Sequence, residues 1–256
     1  MSHKYYIFFL LLIFMGCEGT DEVFFIEDPD IEECNSSVIS SGKYYEKNDR
    51  TYLYAGEDST THFDITEWSL NGCYLENGLG REYFQALIEP RFTSLSNVAD
   101  DYEDAMEALI LLNNGQTKVY PFRLLRQHEM INDDADGTPV MAVYCYLADL
   151  VVIYERTYCN KELTFAVSGF TYGDPNRYQG LSSFILWDRN SESLWWPINN
   201  SGVSGVFQGT TLRKYNPRNW GRTTMGEVKE TYPNAVVLKR GQSVDLPVNV
   251  SKTDGC

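Results

Sequence analysis

Two neighbouring apolar runs place the strongest constraint on the fold. Val140–Leu147 and Asp149–Tyr154 are rich in β-branched and aromatic residues, with an interruption near Ala148. Such residues fit the pleated, buried surface of a sheet, and runs of this length are typical of strands. They predict buried strands, so we expect the core of this chain to be built on β-sheet.

Hairpin signals precede these runs. Between residues 50 and 65, two apolar or aromatic patches surround a Gly-Glu-Asp-Ser turn. An Asn-Gly pair within Asn113–Gln116 separates the runs Ala108–Leu112 and Lys118–Phe122, and Asn-Gly is a strong hairpin signal because both residues tolerate positive φ. The runs that continue the predicted meander are Leu163–Val167, Leu181–Trp187, Leu194–Trp196, Val203–Phe207 and Ala235–Leu238.

Three segments predict short helices. Gly78–Phe92 carries apolar residues at helical spacing and ends near a proline. Arg123–Ile131 can wind as a helix, which would put His128 and Asn132 on one face. Thr224–Tyr232 begins with a threonine cap and stops before a proline. The predicted fold class is α+β: one β-rich domain over residues 50–256, made of antiparallel hairpins and a meander with a few short helices.

The N-terminus predicts export and lipid attachment. Lys4 precedes an apolar run over residues 5–15, which is too short to span a bilayer comfortably, and Gly16-Cys17 closes it. This arrangement resembles the bacterial lipobox, with an ordinary secretory peptide as the alternative. We expect a signal peptide over residues 1–16, lipidation at Cys17, and an acidic tether and peripheral segment over residues 17–49. The mature protein would be extracytoplasmic and anchored to a cell-envelope membrane, facing the periplasm or the exterior.

The charge of the chain argues against one class of partner. The net charge is -15, from 36 acidic and 21 basic residues. A general binder of the phosphate backbone needs a positive field, so nucleic acid is not an expected partner. The acidity is explained most simply by a solubilising surface.

Export changes how the cysteines are interpreted. Once Cys17 is assigned to the lipid, five cysteines remain in a compartment that allows disulfides, so at least one thiol stays free or pairs between molecules. Cys34 and Cys73 are a plausible pair, and Cys145 with Cys159 is a less attractive one. The sequence leaves the pairing of these four and Cys256 open.

Chemically versatile side chains are concentrated between Pro121 and Arg156. His128 is followed at once by Glu129, then by Asn132 and Asp133, and Cys145 lies in the apolar run beyond them. Each of these residues taken alone also fits a structural role, such as a turn residue or a small buried side chain. Their grouping makes this stretch the candidate site. The candidate ligand-binding residues are Glu129 and Asp133 within it and Ser168 and Trp195 farther along.

Several ordered motifs resemble a known family. They are His128–Asp133, Tyr144-Cys145, Leu163–Gly169 and Ser193–Trp195, within a match over about residues 78–238. Together they resemble the bacterial and archaeal family called domain of unknown function 3179. The resemblance implies a secreted or membrane-attached protein, and no established activity comes with it.

The chain departs from the family pattern at one position. Members typically carry a tyrosine-cysteine-proline-leucine-cysteine run, whereas Ala148 stands here where the second cysteine is expected. A pair of cysteines could exchange disulfides or bind a soft metal. Cys145 alone cannot form a dithiol centre unless another cysteine folds back to replace the partner.

One hypothesis is a transition-metal site. The imidazole of His128 and the thiolate of Cys145 would be ligands, with Glu129 or Asp133 completing or orienting the shell. Zinc sites usually have three or four protein ligands, which is more than one histidine and one cysteine provide.

A second hypothesis is a cysteine nucleophile. Cys145 would attack, His128 would act as its base, and Asn132 or Asp133 would hold the imidazole. Domains of this size commonly contain such a set of residues, so the motif is weak by itself.

The preferred hypothesis is a non-catalytic binding module on the cell envelope. Trp195 belongs to a set of tryptophans and tyrosines that could form a stacking platform for a small molecule, glycan or protein. Core packing explains several of these aromatic residues equally well.

Overall fold

The computed structural model describes Cys34, residues 36–54 and residues 61–256. The predicted signal peptide and Cys17 lie outside the described residues. Residues 34–256 belong to one compact unit, and the domain boundary expected at residue 50 stays a prediction. Within the described ranges, no helix is both long enough and apolar enough to cross a membrane.

The described chain contains three α-helices and nineteen short strands. The helices are α1 (Ser37–Ser40), α2 (Phe122–His128) and α3 (Met225–Thr231). The strands of the first half are β1 (Tyr44–Lys47), β2 (Arg50–Tyr54), β3 (His62–Asp64), β4 (Leu75–Asn77), β5 (Leu87–Ile88), β6 (Phe92–Ser94), β7 (Glu107–Asn113), β8 (Gln116–Pro121), β9 (Met130–Ala135) and β10 (Thr138–Cys145). Those of the second half are β11 (Leu150–Glu155), β12 (Thr157–Tyr158), β13 (Lys161–Glu162), β14 (Phe165–Tyr172), β15 (Ser183–Asp188), β16 (Leu194–Trp196), β17 (Ser201–Gly202), β18 (Trp220–Thr224) and β19 (Val236–Leu238).

These strands form five described sheets. The orders are β1-β2-β3, β11-β10-β9-β5, β12-β13, β17-β16-β15-β14-β4 and β18-β7-β8-β19-β6. Most neighbours are antiparallel, whereas β5 with β9 and β8 with β19 are parallel. The predicted α+β, β-rich class is confirmed.

Strand β10 is apolar at nearly every position because both of its faces pack against the core. Met141, Val143 and Cys145 pack into one buried cluster, whereas Val140 and Ala142 pack into another. Successive side chains of a strand point to opposite faces, so a strand with core on both faces loses the usual alternation of apolar and polar residues. The strands predicted from Val140–Leu147 and Asp149–Tyr154 are confirmed as β10 and β11, which pair in antiparallel register.

Both predicted hairpins are confirmed. Strands β2 and β3 are antiparallel, and β7 pairs with β8 from Ala108 opposite Pro121 to Asn113 opposite Gln116. Gly115, in the turn of the second hairpin, has a φ of +85°, which is the conformation that an Asn-Gly pair supplies at low cost.

The helix predictions have mixed outcomes. Helix α3 is confirmed, and the Thr224 side chain caps it by accepting from the Glu227 backbone N–H. The helix predicted over Gly78–Phe92 is wrong. Gly80 and Glu82 have positive φ, which interrupts a right-handed helix, and the segment contains strand β5 and the first residue of β6 instead.

Two further expectations are corrected. Helix α2 ends at His128 because Glu129 has a φ of +57°, and the chain then enters β9. Asn132 is therefore on a strand and does not share a helical face with His128. The strand predicted over Val203–Phe207 is a 3-10 helix over Gly205–Phe207 preceded by β17.

Two disulfides tie the described chain together. The plausible pair Cys34–Cys73 is present, and Cys159 pairs with Cys256 across a sequence separation of 97. Cys145 is the remaining described cysteine, free and buried. One thiol was expected to lack an intramolecular partner, and the structure identifies it as Cys145.

Candidate functional site

Cys145 and Glu129 lie in a water-poor environment. Cys145 is the last residue of β10 and is fully buried, and desolvation raises the pKa of its thiol, with a smaller contribution from the charge of Glu129. Burial also raises the pKa of Glu129 from its ordinary value to about 7. Both shifts favour the neutral forms, which opposes formation of a reactive thiolate.

His128 is occupied by a local contact. Its Nδ1 lies 2.9 Å from the backbone carbonyl oxygen of Gln85, and burial lowers the pKa of its imidazole. No hydrogen bond in the described part of the chain joins His128 to Cys145 or Asn132. The described residues also contain no group of three or more His, Cys, Asp or Glu arranged to hold a metal ion.

Asn132 joins three strands. Its side-chain amide donates to the carbonyl oxygens of Leu87 at 3.0 Å and Phe165 at 2.9 Å, and its Oδ1 accepts from the Phe165 backbone N–H at 2.8 Å. Asn132 is 1% exposed. These contacts use both ends of the amide to connect β9 with β5 and with the start of β14.

Asp133 belongs to a different buried cluster. Its carboxylate accepts from Lys118 Nζ at 2.8 Å and from the hydroxyl of Tyr120 at 2.5 Å. The cluster links β9 to β8, so Asn132 and Asp133, although adjacent in sequence, contact different parts of the fold.

Ser168 and Trp195 are buried and have internal partners. Ser168 Oγ accepts from the Phe170 backbone N–H at 3.2 Å, within an irregular stretch of β14. Trp195 donates its indole N–H to Asp188 at 2.9 Å and packs in the core. The candidate residues thus occupy several separate environments, and their assignment to one functional site stays a prediction.

The surface presents a large polar cleft of about 820 Å³. We call it the polar cleft; it lies between the β1-β2-β3 sheet and segments near residues 190, 206 and 252. Its wall includes the aromatic rings of Tyr52 and His62 and the apolar Val206, among many polar side chains. Its acidic groups outnumber its Lys and Arg side chains: the acids are Asp49, Asp64, Glu67, Glu192 and Asp254, and the bases are Arg50 and Lys252.

Aromatic rings line the outer face of the small sheet beside the cleft. We define Tyr45, Tyr52, Tyr54 and His62 as the aromatic platform. Tyr45 stacks on Tyr54 with ring centroids 4.5 Å apart and on Tyr52 at 5.4 Å, and His62 meets Tyr52 edge-on at 4.6 Å. The rings face outward because Leu53, between two tyrosines of β2, points to the buried face.

A second pocket of about 580 Å³ adjoins the cleft at Glu192 and Lys252. We call it the Arg81 pocket. The guanidinium of Arg81 lies over the Trp187 ring, with its carbon 3.6 Å from the ring centroid, and 4.8 Å from that of Phe63. Burial lowers the pKa of Arg81, although its charge persists because a free guanidinium titrates far above neutral pH.

Glycines on two segments place Arg81 in this pocket. Gly169 has a φ of +88°, and a Cβ there would collide with the backbone of Gly80. The Gly78 N–H donates to the Gly169 carbonyl oxygen at 2.9 Å, next to the register shift in β14. This close approach of two backbones requires residues without side chains and presents Arg81 to Trp187.

A second arginine in the pocket is held by a carboxylate. Arg189 donates to both oxygens of Glu82, at 2.9 and 2.7 Å, and its side chain is 3% exposed. Glu82 has a φ of +61°, an uncommon value for a residue with a side chain. Uncommon backbone conformations of this kind persist where surrounding contacts enforce them.

The sequence-based interpretation did not include the Arg81 pocket or the aromatic platform. Arg81 and Glu82 are separated by about a hundred residues from Trp187 and Arg189, so no local spacing connects them. A usable signal was present in Gly78-Leu79-Gly80, since two glycines argue against the helix that was predicted there.

Comparison with known proteins supports one relationship. No curated protein and no solved structure matches the chain. A family model described as "Protein of unknown function (DUF3179)" matches residues 82–246, which is more than half of the chain. The resemblance carried by the motifs around His128 and Cys145 is thereby confirmed, and the chain belongs to the DUF3179 family.

Proposed function

We propose that this protein is a non-catalytic binding module, anchored outside the cytoplasm through Cys17, that binds a neutral carbohydrate in the polar cleft. The observation that carries the proposal is the aromatic platform at the edge of the cleft. Tyr52 and His62 belong to both features. Tyrosine offers an apolar ring with a polar tip, which suits a ligand that alternates C–H and O–H groups.

The lining of the cleft favours a neutral, hydroxyl-rich ligand. Carboxylates, amides and hydroxyls are present in number, including Glu67, Gln208 and Thr253. An apolar ligand would leave these groups without hydrogen bonds, and the excess of carboxylates would repel an anion. A neutral sugar can donate hydroxyls to the carboxylates and place its ring against Tyr52.

The environment of Cys145 argues against a catalytic thiol. The thiol is fully buried and its pKa is raised, whereas a nucleophilic cysteine needs an accessible thiolate. His128, the base of that hypothesis, contacts the Gln85 carbonyl. A metal centre at the same place has less support than a binding cleft, since the nearby side chains have other partners.

Two disulfides support the proposed location. Cys34–Cys73 and Cys159–Cys256 are typical of proteins folded in an oxidising compartment. Metabolic labelling with a tagged fatty acid tests the anchor. We expect labelled wild-type protein in the membrane fraction and no label on Cys17→Ser; equal labelling of both proteins would refute lipidation at this residue.

Binding of defined oligosaccharides tests the ligand class. The full chain, purified in detergent, is titrated by calorimetry with cellohexaose, mannohexaose and xylohexaose. We expect at least one to bind with a Kd below about 1 mM, and Tyr52→Ala to weaken binding roughly tenfold or more through loss of a ring contact.

The matched control is Tyr146→Ala. Tyr146 is 67% exposed at the turn between β10 and β11 and lies outside the cleft, so its loss should leave affinity unchanged. Near-ultraviolet circular dichroism checks that both variants are folded. Absence of binding to all three sugars, or equal effects of the two variants, would refute the proposal.

A further inference from the structure

We propose that the Arg81 pocket is a binding site for a small monocarboxylate, recognised by the guanidinium of Arg81. This inference goes beyond the proposed function, because it concerns a different pocket and a different ligand class. The two pockets share Glu192 and Lys252, but Arg81 and Trp187 belong only to the second.

Arg81 has unused hydrogen-bonding capacity. Its side chain is 14% exposed, and its one ion pair in the described structure is a long contact of 3.7 Å from Nη2 to Glu192. None of its guanidinium N–H groups donates a hydrogen bond within 3.5 Å to a described residue. A guanidinium has five such donors, and leaving them unpaired away from water is costly. An anion in the adjoining pocket would satisfy them.

The neighbouring arginine provides an internal comparison. Arg189 is more deeply buried, and its Nε and Nη2 both donate to Glu82, whereas its Nη1 donates to the Phe165 carbonyl oxygen. The Glu82 carboxylate thus binds the guanidinium of Arg189 in the way that we propose for a ligand carboxylate at Arg81. Arg81 lacks an equivalent internal carboxylate, since Glu192 is farther away and contacts Lys252 at 3.0 Å.

The aromatic surroundings preorganise Arg81. Its flat guanidinium rests on Trp187, which is 4% exposed, and faces Phe63 on another side. A guanidinium held against an aromatic ring loses freedom to turn, and its N–H groups point outward in its own plane, which is the geometry that a carboxylate accepts in a bidentate pair. The Trp187 indole N–H is itself buried without a hydrogen-bond partner among the described residues.

The local charge favours a ligand with one negative charge. The pocket contains three cations, Arg81, Arg189 and Lys252, and two carboxylates, Glu82 and Glu192, which leaves one positive charge in excess. A monocarboxylate neutralises that excess. A dianion would bring a surplus negative charge close to two glutamates, which is unfavourable in a partly desolvated pocket, and inorganic phosphate is partly dianionic at neutral pH.

Calorimetric titration with anions of graded size tests this site. The probes are acetate, lactate and glucuronate, with glucose and inorganic phosphate as comparisons, all at constant low ionic strength because salt screens charge pairs. We expect at least one monocarboxylate to bind, and to bind more tightly than phosphate or glucose. Failure of all three carboxylates to bind, or tighter binding of phosphate, would overturn the inference.

Variants locate the binding to Arg81. Arg81→Gln should weaken carboxylate binding roughly tenfold or more, and Arg81→Lys should give an intermediate loss because the charge stays and the fork is removed. The matched control is Arg240→Gln, since Arg240 also lies over an aromatic ring, that of Tyr102 at 4.8 Å, but outside the pocket. Equal affinities of wild type, Arg81→Gln and Arg240→Gln would overturn the assignment.

The two proposals fail separately. Loss of neutral-sugar binding in Tyr52→Ala concerns the polar cleft, and loss of carboxylate binding in Arg81→Gln concerns the Arg81 pocket. Arg81 also packs against Trp187, so its replacement could disturb that ring. Amide-region NMR of Arg81→Lys therefore checks that the indole N–H signals keep the chemical shifts of the folded wild-type protein. A carboxylate should also shift one indole N–H signal in wild type, and absence of any such shift at saturation would contradict binding beside Trp187.

Discussion

Asn132 and Phe165 exchange two hydrogen bonds across the interior of the protein. The Asn132 amide donates to the Phe165 carbonyl oxygen at 2.9 Å and accepts from the Phe165 N–H at 2.8 Å. A side chain thereby replaces the backbone of a neighbouring strand and fastens the beginning of β14 to β9. The sequence-based hypothesis placed this residue beside a reacting histidine, whereas its contacts are those of a structural bridge.

The first prediction follows from that bridge. Asn132→Ala should lower the free energy of unfolding by about 3 kcal/mol, because the buried Leu87 carbonyl and Phe165 N–H lose the hydrogen bonds that Asn132 makes to them. The Phe165 carbonyl keeps a hydrogen bond from Arg189. Urea unfolding measures the loss. Asn97→Ala, at an exposed asparagine, is the control and should change stability little; a small effect of both variants would argue against the bridge.

The second prediction concerns Glu129 and pH. Burial raises its pKa in the folded protein from 4.5 to about 7, so the folded state binds this proton more tightly than the unfolded state. The stability that this proton contributes is fully present below pH 4.5 and is lost as pH rises to about 7. At higher pH the folded protein is therefore less stable by about 3 kcal/mol than it is below pH 4.5, from this group alone. Glu129→Gln removes this cost.

The difference in unfolding free energy between Glu129→Gln and wild type isolates the contribution of Glu129 ionisation, because the other carboxylates titrate in both proteins. We expect this difference to move in favour of the variant by about 3 kcal/mol between about pH 4 and pH 8. Urea unfolding at several pH values gives the curve. A difference that does not change with pH would show that Glu129 titrates normally.

The third prediction is that the Cys145 thiol is inert in the folded protein. Burial raises its pKa, and its side chain is inaccessible to solvent. At about pH 8, near the ordinary thiol pKa of about 8.5, iodoacetamide should modify Cys145 only after unfolding in denaturant, as followed by mass spectrometry of the peptide that contains it. Rapid modification of the native protein would revive the nucleophile hypothesis.

The fourth prediction ranks the disulfides. Cys159–Cys256 closes a longer loop than Cys34–Cys73, with sequence separations of 97 and 39. In the chain-entropy description, the double serine variants should lose about 5 and about 4 kcal/mol respectively. Denaturant unfolding of the two variants gives both values, and stability equal to wild type in either would contradict the corresponding bond.

Local sequence signals predicted much of the sheet structure. The β-branched runs of β10 and β11, the Asn-Gly turn after Asn113 and the threonine cap of α3 each act over a few residues, and each was recognised correctly. The segment after Gly78 was misjudged, because its helical spacing is overridden by positive φ at Gly80 and by backbone contact with Gly169. That contact depends on a distant strand.

The candidate site was harder to predict than the fold. Proximity in sequence suggested that Asn132, Asp133 and His128 would act together, but adjacent strand residues point to opposite faces, and each of the three has a different partner. The Arg81 pocket shows the converse: Arg81 and Trp187 meet only through folding. The amino-acid sequence contains no local pattern that links Arg81 to Trp187.

Binding measured in parallel on Tyr52→Ala and His128→Ala tests the central claim most directly, because it separates the polar cleft from the stretch around Cys145. Both full-length variants are titrated with the oligosaccharide that binds wild type most tightly among cellohexaose, mannohexaose and xylohexaose. The account predicts a loss of roughly tenfold or more for Tyr52→Ala and wild-type affinity for folded His128→Ala. Loss of binding in His128→Ala with unchanged affinity in Tyr52→Ala, or no binding by wild type, would contradict it.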